Sequence, residues 1–412
     1  MNILFVNTLD IEGGAARAAY RLFKGVQALG ESARMLVLKK SSADLTVFTA
    51  AGQLGAWLPR LNYRLDGRAL RHYPQRQQGS SWSVNAVPYP IGRVMAAQPA
   101  DLYHLHWIGA GFIPISSLAI LNKPVLWTLH DEWAYTGGCH YTDGCERFIN
   151  ACGCCPLLAS QVENDLSHQT WKRKSKHWHN MRLTIVAPSQ WIAQRAKRSS
   201  LFSRCRVEVI PNGIDTQKFR PLDRRMARQI LNLPDDKKLI LFAGLSEAGD
   251  RRKGLHLLQP ALHRLPADLK SSTELMILGT IQSPASPDFG MPCHWLGRLH
   301  DDISISLVYA AADIFVAPSL QDNLPNTVME AAGCGTSSVA FQIGGMSDLI
   351  DHEQNGYLAQ PFDTDDLAHG IEMALRHSET WGRAARLKVE KEFEIQHIAR
   401  RYQSLYQEVI AG

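Results

Sequence analysis

Two carboxylates and a helix start lie close together between Ala317 and Gly335. A predicted strand ends at Pro318, a loop carries Asp322, and a helix opens at Pro325 or Asn326 and carries Glu330. Proline fits a helix start because the amide it lacks is unpaired there anyway. The free amides of such a start, in the turn Asn323, Leu324, Asn326 and Thr327, suit an anion such as a diphosphate. Asp322 and Glu330 can reach one pocket, one toward the hydroxyls of a sugar and one toward those of a ribose. Hydrogen bonds to a carboxylate are charge-assisted and stronger than neutral ones. The same residues also read as plain helix chemistry, with Asp322 a cap and Glu330 a surface acid.

Other candidates follow predicted strand ends. Arg251, Arg252, Lys253 and Gly254 come after the strand that finishes near Gly244; read alone, they are a cationic loop. Gly13 and Gly14 sit at the first strand–helix turn, where glycine permits close backbone approach to a phosphate. Neither a full G-x-G-x-x-G nor a P-loop is present, which excludes the usual dehydrogenase and kinase signatures. His130 follows a strand at Val125 to Leu129, and His104 and His106 end another; these could meet a second substrate or be satisfied core histidines. Pro211, Asn212 and Gly213 make a tight turn, and Gly344 and Gly345 another.

Four of the eight cysteines cluster as Cys139, Cys145, Cys152 and Cys155, with Cys154 beside them. This density suits structural zinc held by four thiolates, and Cys152-x2-Cys155 fits the short ligand spacing. Disulfides and reduced packing cysteines are the alternatives.

These residues need elements to position them. Strand candidates, short and largely apolar, at Asn2–Thr8, 33–38, 102–106, 125–129, 183–187 and 207–210 alternate with helical stretches. The pattern repeats at 238–243, 275–279, 314–317 and 338–341. Apolar strands alternating with helices imply parallel sheets covered on both faces. The expected fold is therefore α/β, with two doubly wound Rossmann-like domains facing a central cleft. The expected domains are residues 1–205, residues 206–386, and a last helix from about 387 that packs back on the first. In such sheets, ligands bind beyond the carboxyl ends of the strands.

Composition is consistent with this reading. Of 412 residues, 45% are hydrophobic and 20% charged, which suits a globular chain with real cores. No apolar run is long enough to span a bilayer, and the start lacks the pattern of a signal peptide. The expected location is the cytoplasm, with the inner face of the cell membrane as the alternative. Residues 1–205 hold 23 Lys/Arg against 12 Asp/Glu, while residues 206–412 hold 21 against 27. The basic stretches Arg60–Arg76 and Lys172–Arg182 read as a contact with an anionic membrane or as solvated helix faces. No nucleic-acid motif accompanies the charge, so nucleic acid is not expected as a partner.

The spacing of Asp322 and Glu330 resembles the acid-x7-acid signature of the family 4 retaining glycosyltransferases, which have the GT-B fold. The resemblance extends from Gly13-Gly14 to the region after Gly345. There are departures: Asp322 stands where glutamate is usual, Asn323 to Asn326 where glycines are usual, and Leu245 where arginine is frequent, with Arg252 as its substitute. The variant resembles a subgroup that builds bacterial surface polysaccharides and carries a similar cysteine cluster. The resemblance implies a UDP- or GDP-sugar donor and a saccharide or lipid-linked acceptor. It places Lys253 and Gly13-Gly14 at the diphosphate, Glu330 at the ribose, Asp322 at the sugar hydroxyls and His130 at the donor sugar. It implies that catalysis requires no cofactor. A sugar-nucleotide epimerase or hydrolase, and a non-catalytic sugar-nucleotide-binding scaffold, are the rival readings.

Overall fold

The computed structural model describes residues 1–50, 57–244, 251–284 and 286–412. Leu245 lies outside the described residues. The chain divides into two compact units: Met1–Asn212 with Gln396–Gly412, and Gly213–Ile395.

The first unit is built on strands β1 (Asn2–Leu9), β2 (Ser32–Lys39), β3 (Val47–Thr49), β4 (Leu102–Leu105), β5 (Val125–Thr128), β6 (Leu183–Ala187) and β7 (Arg206–Val209). Among the described residues they form a parallel sheet in the order β3-β2-β1-β4-β5-β6-β7. β4 and β5 are buried at every position, because helices cover both faces. One apolar layer gathers Trp127, Trp133, Trp178 and Phe202. The other gathers Phe5, Phe23 and Val26 with Ile398, Tyr402 and Tyr406.

The second unit is built on β8 (Lys238–Ala243), β9 (Thr273–Leu278), β10 (Cys293–Trp295), β11 (Ile314–Ala317), β12 (Ser337–Phe341) and β13 (Gly356–Ala359). Its parallel order is β10-β9-β8-β11-β12-β13. Each sheet starts at its own first strand and runs outward in both directions. The order therefore reverses between β1 and β4, and again between β8 and β11. Crevices open at such switch points, beyond the carboxyl ends of the strands.

The single helix expected from about 387 is two helices, Ser378–Glu392 and Ile395–Ala411. Ile214 donates its N–H to the Phe393 carbonyl at 2.8 Å and accepts from Ile395 N–H at 2.9 Å. This strand-like pairing takes main-chain groups that a continuous helix would use. The helix Leu166–Trp178 also differs from a solvated basic face. Leu166, Thr170, Lys174 and Trp178, four residues apart, are all buried, which leaves Lys172 and Lys176 exposed.

Candidate active site

In the second unit, three chain segments converge beyond β8 and β11. Arg251–Lys253 form a turn, and Gly254 then starts the helix Leu255–Arg264. Gly254 has φ +74°, and a Cβ there would lie 1.7 Å from the Pro318 carbonyl oxygen. Only glycine meets both demands. The Leu320 N–H donates to the Arg252 carbonyl at 2.7 Å, tying this turn to the loop after β11. Gly344, at φ +54°, does the same from the other side, since its Cβ would meet the Asp322 carbonyl oxygen at 1.8 Å. The Gly345 N–H donates to that oxygen at 3.3 Å.

This backbone fit sets the side chains. Lys253 Nζ lies 2.7 Å from Asp322 Oδ2 in a partly exposed ion pair. The structure thus brings together two residues that sequence reasoning had given separate tasks. The helix Asn326–Gly333 begins after Pro325, with no side-chain cap among the described residues. Helix 14–28, which starts at Gly13, and helix 255–264 also lack one. By contrast, Asp165, Ser189, Asp223, Asp301 and Asp363 cap their helices. A helix start without a side-chain cap is a usual place for an anion. Asn326 and Thr327 are half-buried at the helix start, whereas Asn323 and Leu324 are buried, Leu324 within the core. Glu330, 4% exposed, accepts a hydrogen bond from Tyr309 Oη at 3.3 Å.

The first unit places different chemistry at its switch point. Gly13, at φ +92°, has open space where a Cβ would stand, and its carbonyl accepts from Arg17 N–H at 3.0 Å. At β4 and β5, His104 and His106 are buried and His130 beside them is half-buried. His104 Nδ1 lies 2.8 Å from Tyr406 Oη and its Nε2 lies 2.8 Å from Thr128 Oγ1. Thr128 Oγ1 in turn lies 3.0 Å from Tyr402 Oη, so the last helix supports this end of the sheet. His106 Nδ1 lies 2.9 Å from His130 Nε2. Among the described residues, the buried Nε2 of His106 has no hydrogen-bond partner. A proton on His106 Nδ1 leaves only a lone pair unpaired there, whereas the other tautomer would bury an orphan N–H, which is the rarer defect. His130 then accepts at Nε2 and carries its own proton on Nδ1. Burial, opposed by the nearby Asp131 charge, lowers His130 to about 4. Burial and neighbouring histidines hold His104 and His106 well below the usual range. All three are neutral at pH 7.

Sequence reasoning missed the supports. Asp131 Oδ2 accepts from Trp107 Nε1 at 2.6 Å and lies 2.6 Å from His140 Nδ1. His140 Nε2 lies 2.8 Å from Ser83 Oγ. The order Ser83–His140–Asp131 has the geometry of a hydrolytic triad. However, Ser83 is 2% exposed, and its Oγ already accepts the Ala110 N–H. A Cβ on Gly109 would lie 2.9 Å from that oxygen, so the Gly109 backbone packs directly against it. The network braces the segment after His130. The proximity of His140 and Asp131 depends on the fold, and their spacing in the chain does not signal it.

The four cysteines singled out by spacing do meet. Cys139, Cys145, Cys152 and Cys155 line one cavity of about 20 Å³, and all are free thiols. Cys154 points away, toward the Gln161 carbonyl and Glu163 Oε2, each at 3.4 Å. Burial pushes Cys152 up to about 12 and Cys155 up to about 11. Among the described residues, no three His, Cys, Asp or Glu side chains already stand in a metal-holding array. No described helix is long and apolar enough to cross a membrane.

Two doubly wound parallel-sheet units, each with glycine-shaped loops at its switch point, define the GT-B class of fold. The chain aligns over its full length with the sucrose-phosphate synthase of Thermosynechococcus elongatus, at TM-score 0.70 and 20% identity, covering 100% of both chains. It aligns with Anabaena HepE, solved with UDP and glucose, at TM-score 0.66 and 18% identity, covering 99% of this chain and 100% of that one. The family described as Glycosyltransferase Family 4 matches residues 12–218, just over half of the chain. The description Glycosyl transferases group 1 matches residues 237–377. The chain belongs to glycosyltransferase family 4. Among curated relatives, a D-inositol 3-phosphate glycosyltransferase of Catenulispora acidiphila is 29% identical over 181 residues, 40% of this chain and 42% of that protein. WcaC of Escherichia coli, named as a colanic acid biosynthesis glycosyl transferase, is 29% identical over 229 residues, 52% of this chain and 55% of that protein. The chain spans about half the length, or less, of these curated relatives.

Proposed function

We propose that the protein transfers a sugar from a UDP- or GDP-sugar to a saccharide or lipid-linked acceptor, with retention at the anomeric carbon, in bacterial surface polysaccharide assembly. The observation that carries this reading is the convergence of Lys253, Asp322 and the uncapped start of helix 326–333 beyond β8 and β11. A diphosphate competes with Asp322 for Lys253 and sits at the start of helix 326–333, at Asn326 and Thr327. Lys253 then stabilises the charge that develops on the leaving phosphate. Displaced from Lys253, Asp322 is released to accept the sugar hydroxyls. Glu330, oriented by Tyr309, accepts the ribose hydroxyls. Arg252 supports the diphosphate, and Gly13-Gly14 gives it a close backbone approach. His130, neutral and protonated on Nδ1, donates to a hydroxyl of the donor sugar. The leaving phosphate takes the acceptor proton, and catalysis requires no metal.

Family membership, the names of the relatives and the UDP and glucose found with HepE support this reading. Arg64, Arg68, Arg71 and Arg76 are exposed on the first unit, and in this reading they meet the anionic membrane surface that carries a lipid-linked acceptor. Equal co-sedimentation with neutral and anionic vesicles would remove that part. The main test is nucleotide release from each donor, with and without an acceptor extract. Acceptor-dependent release supports transfer. Turnover without acceptor supports the epimerase or hydrolase reading, and binding without turnover supports a scaffold.

A further inference from the structure

The segment after His130 holds a buried cation beside four thiols. Lys174 is fully buried; its Nζ donates to the carbonyls of Trp133 and Thr136 and lies 3.8 Å from the Trp133 ring centroid. Among the described residues, no carboxylate lies within ion-pair reach of it. A buried ammonium without a counter-anion is costly. Lys174 thus anchors the stretch that leads into Cys139, a residue that shares a cavity with Cys152. Both line the 20 Å³ cavity with Cys145 and Cys155, and such a volume has room for one small atom or ion.

The backbone is shaped for this convergence. Cys152, Gly153 and Cys154 have φ of +36°, +127° and +42°. Left-handed residues in succession persist only where the surroundings dictate them. The turn sends Cys152 and Cys155 to the cavity and Cys154 away from it. Asp165, which caps helix 166–178, also accepts the Cys155 N–H at 2.8 Å, so the helix carrying Lys174 and the cysteine turn are joined.

We propose that Cys139, Cys145, Cys152 and Cys155 bind one Zn2+ as a tetrathiolate, with Lys174 as its built-in counter-charge. Cysteine has a single heavy-atom side-chain torsion, so gathering the thiols from the cavity wall is a rotamer change. Binding releases four thiol protons and leaves a centre of charge −2, which Lys174 reduces to −1. The role is structural: the centre locks the segment bearing Asp131 and His140 behind His130. Metal content can be read without the donor, so it fails or holds separately from the diphosphate contact proposed at Lys253, which lies in the other unit.

The test is metal analysis of the full chain, purified under reducing conditions without added metal. The expected result is about one zinc per chain. Four of the eight thiols should be protected from a thiol reagent until a chelator is added. Cobalt replacement should give the intense visible absorption of tetrahedral thiolate coordination. Cys139→Ser with Cys152→Ser should abolish zinc, and Cys154→Ser should retain it. Lys174→Met should weaken zinc retention against a competing chelator by about 10–100-fold. If the cysteine variants do not fold, thiol protection and the cobalt spectrum of the unaltered chain decide. A zinc-free chain with all thiols reactive would overturn the proposal, as would a disulfide between any two of the four. Equal zinc in the Cys152 and Cys154 variants would overturn it too.

Discussion

Both sheets reverse strand order beside their first strand, yet they place opposite chemistry there. Beyond β8 and β11 stands an ion pair, Lys253 with Asp322, held by backbone fit at Gly254 and Gly344. At β4 and β5 stands a row of neutral histidines: Thr128 and Tyr406 hold His104, Tyr402 holds Thr128, and His106 pairs with His130. One fold supplies the same kind of position twice, and local residues decide whether it carries charges or neutral polar groups. The difference also predicts how each end fails. The first is sensitive to charge removal and to any added Cβ, and the second to acid.

The largest expected effect is on the charged end. Lys253→Ala should lower kcat by about 10²–10³, the loss typical of one electrostatic stabiliser of a leaving group. Steady-state nucleotide release measures it, and an unchanged kcat would erase the contrast. The histidine end should respond to pH. His130 is lowered to about 4, so below pH 6.5 the unfolded chain takes up protons that the folded chain refuses. Its contribution to stability is complete above pH 6.5 and is lost as the pH falls toward 4. His104 and His106 add losses of the same sign. Each contributes a slope of at most about 1.4 kcal/mol per pH unit, to be read from denaturant unfolding at several pH values. A flat profile would show that these histidines are not held neutral.

Gly254→Ala should destabilise the second unit by about 1–3 kcal/mol, because φ +74° and the Pro318 carbonyl both reject a methyl group. Denaturant unfolding measures this loss as well. The smallest effect is that of Tyr309→Phe, about 1 kcal/mol for one buried hydrogen bond to Glu330, with weaker nucleotide binding as the functional readout.

Much of this was legible in the chain. Runs such as Leu239 to Phe242 and Ile314 to Ala317 are apolar throughout because helices cover both faces of the sheet, so composition alone marks central strands. The edge strand β3, three residues long, carries no such signal. The loop carrying Asp322 and the cationic turn with Lys253 were readable from their places after predicted strands. Their pairing was not, since it depends on strands 70 residues apart lying side by side. Lys174 was read with its charged neighbours, although its four-residue spacing from Leu166, Thr170 and Trp178 marked an inward face. The network of Ser83, His140, Asp131 and Trp107 joins three separate stretches and has no local signature.

The most direct test of the central claim, that the second unit holds the donor diphosphate at Lys253, is calorimetric titration with UDP- and GDP-sugars. The account predicts saturable binding of one nucleotide class to the unaltered chain. It predicts binding at least about tenfold weaker in Lys253→Ala and in Glu330→Ala, one lost charge-assisted contact each. Binding of equal strength in all three proteins, or no binding of either class, would contradict it.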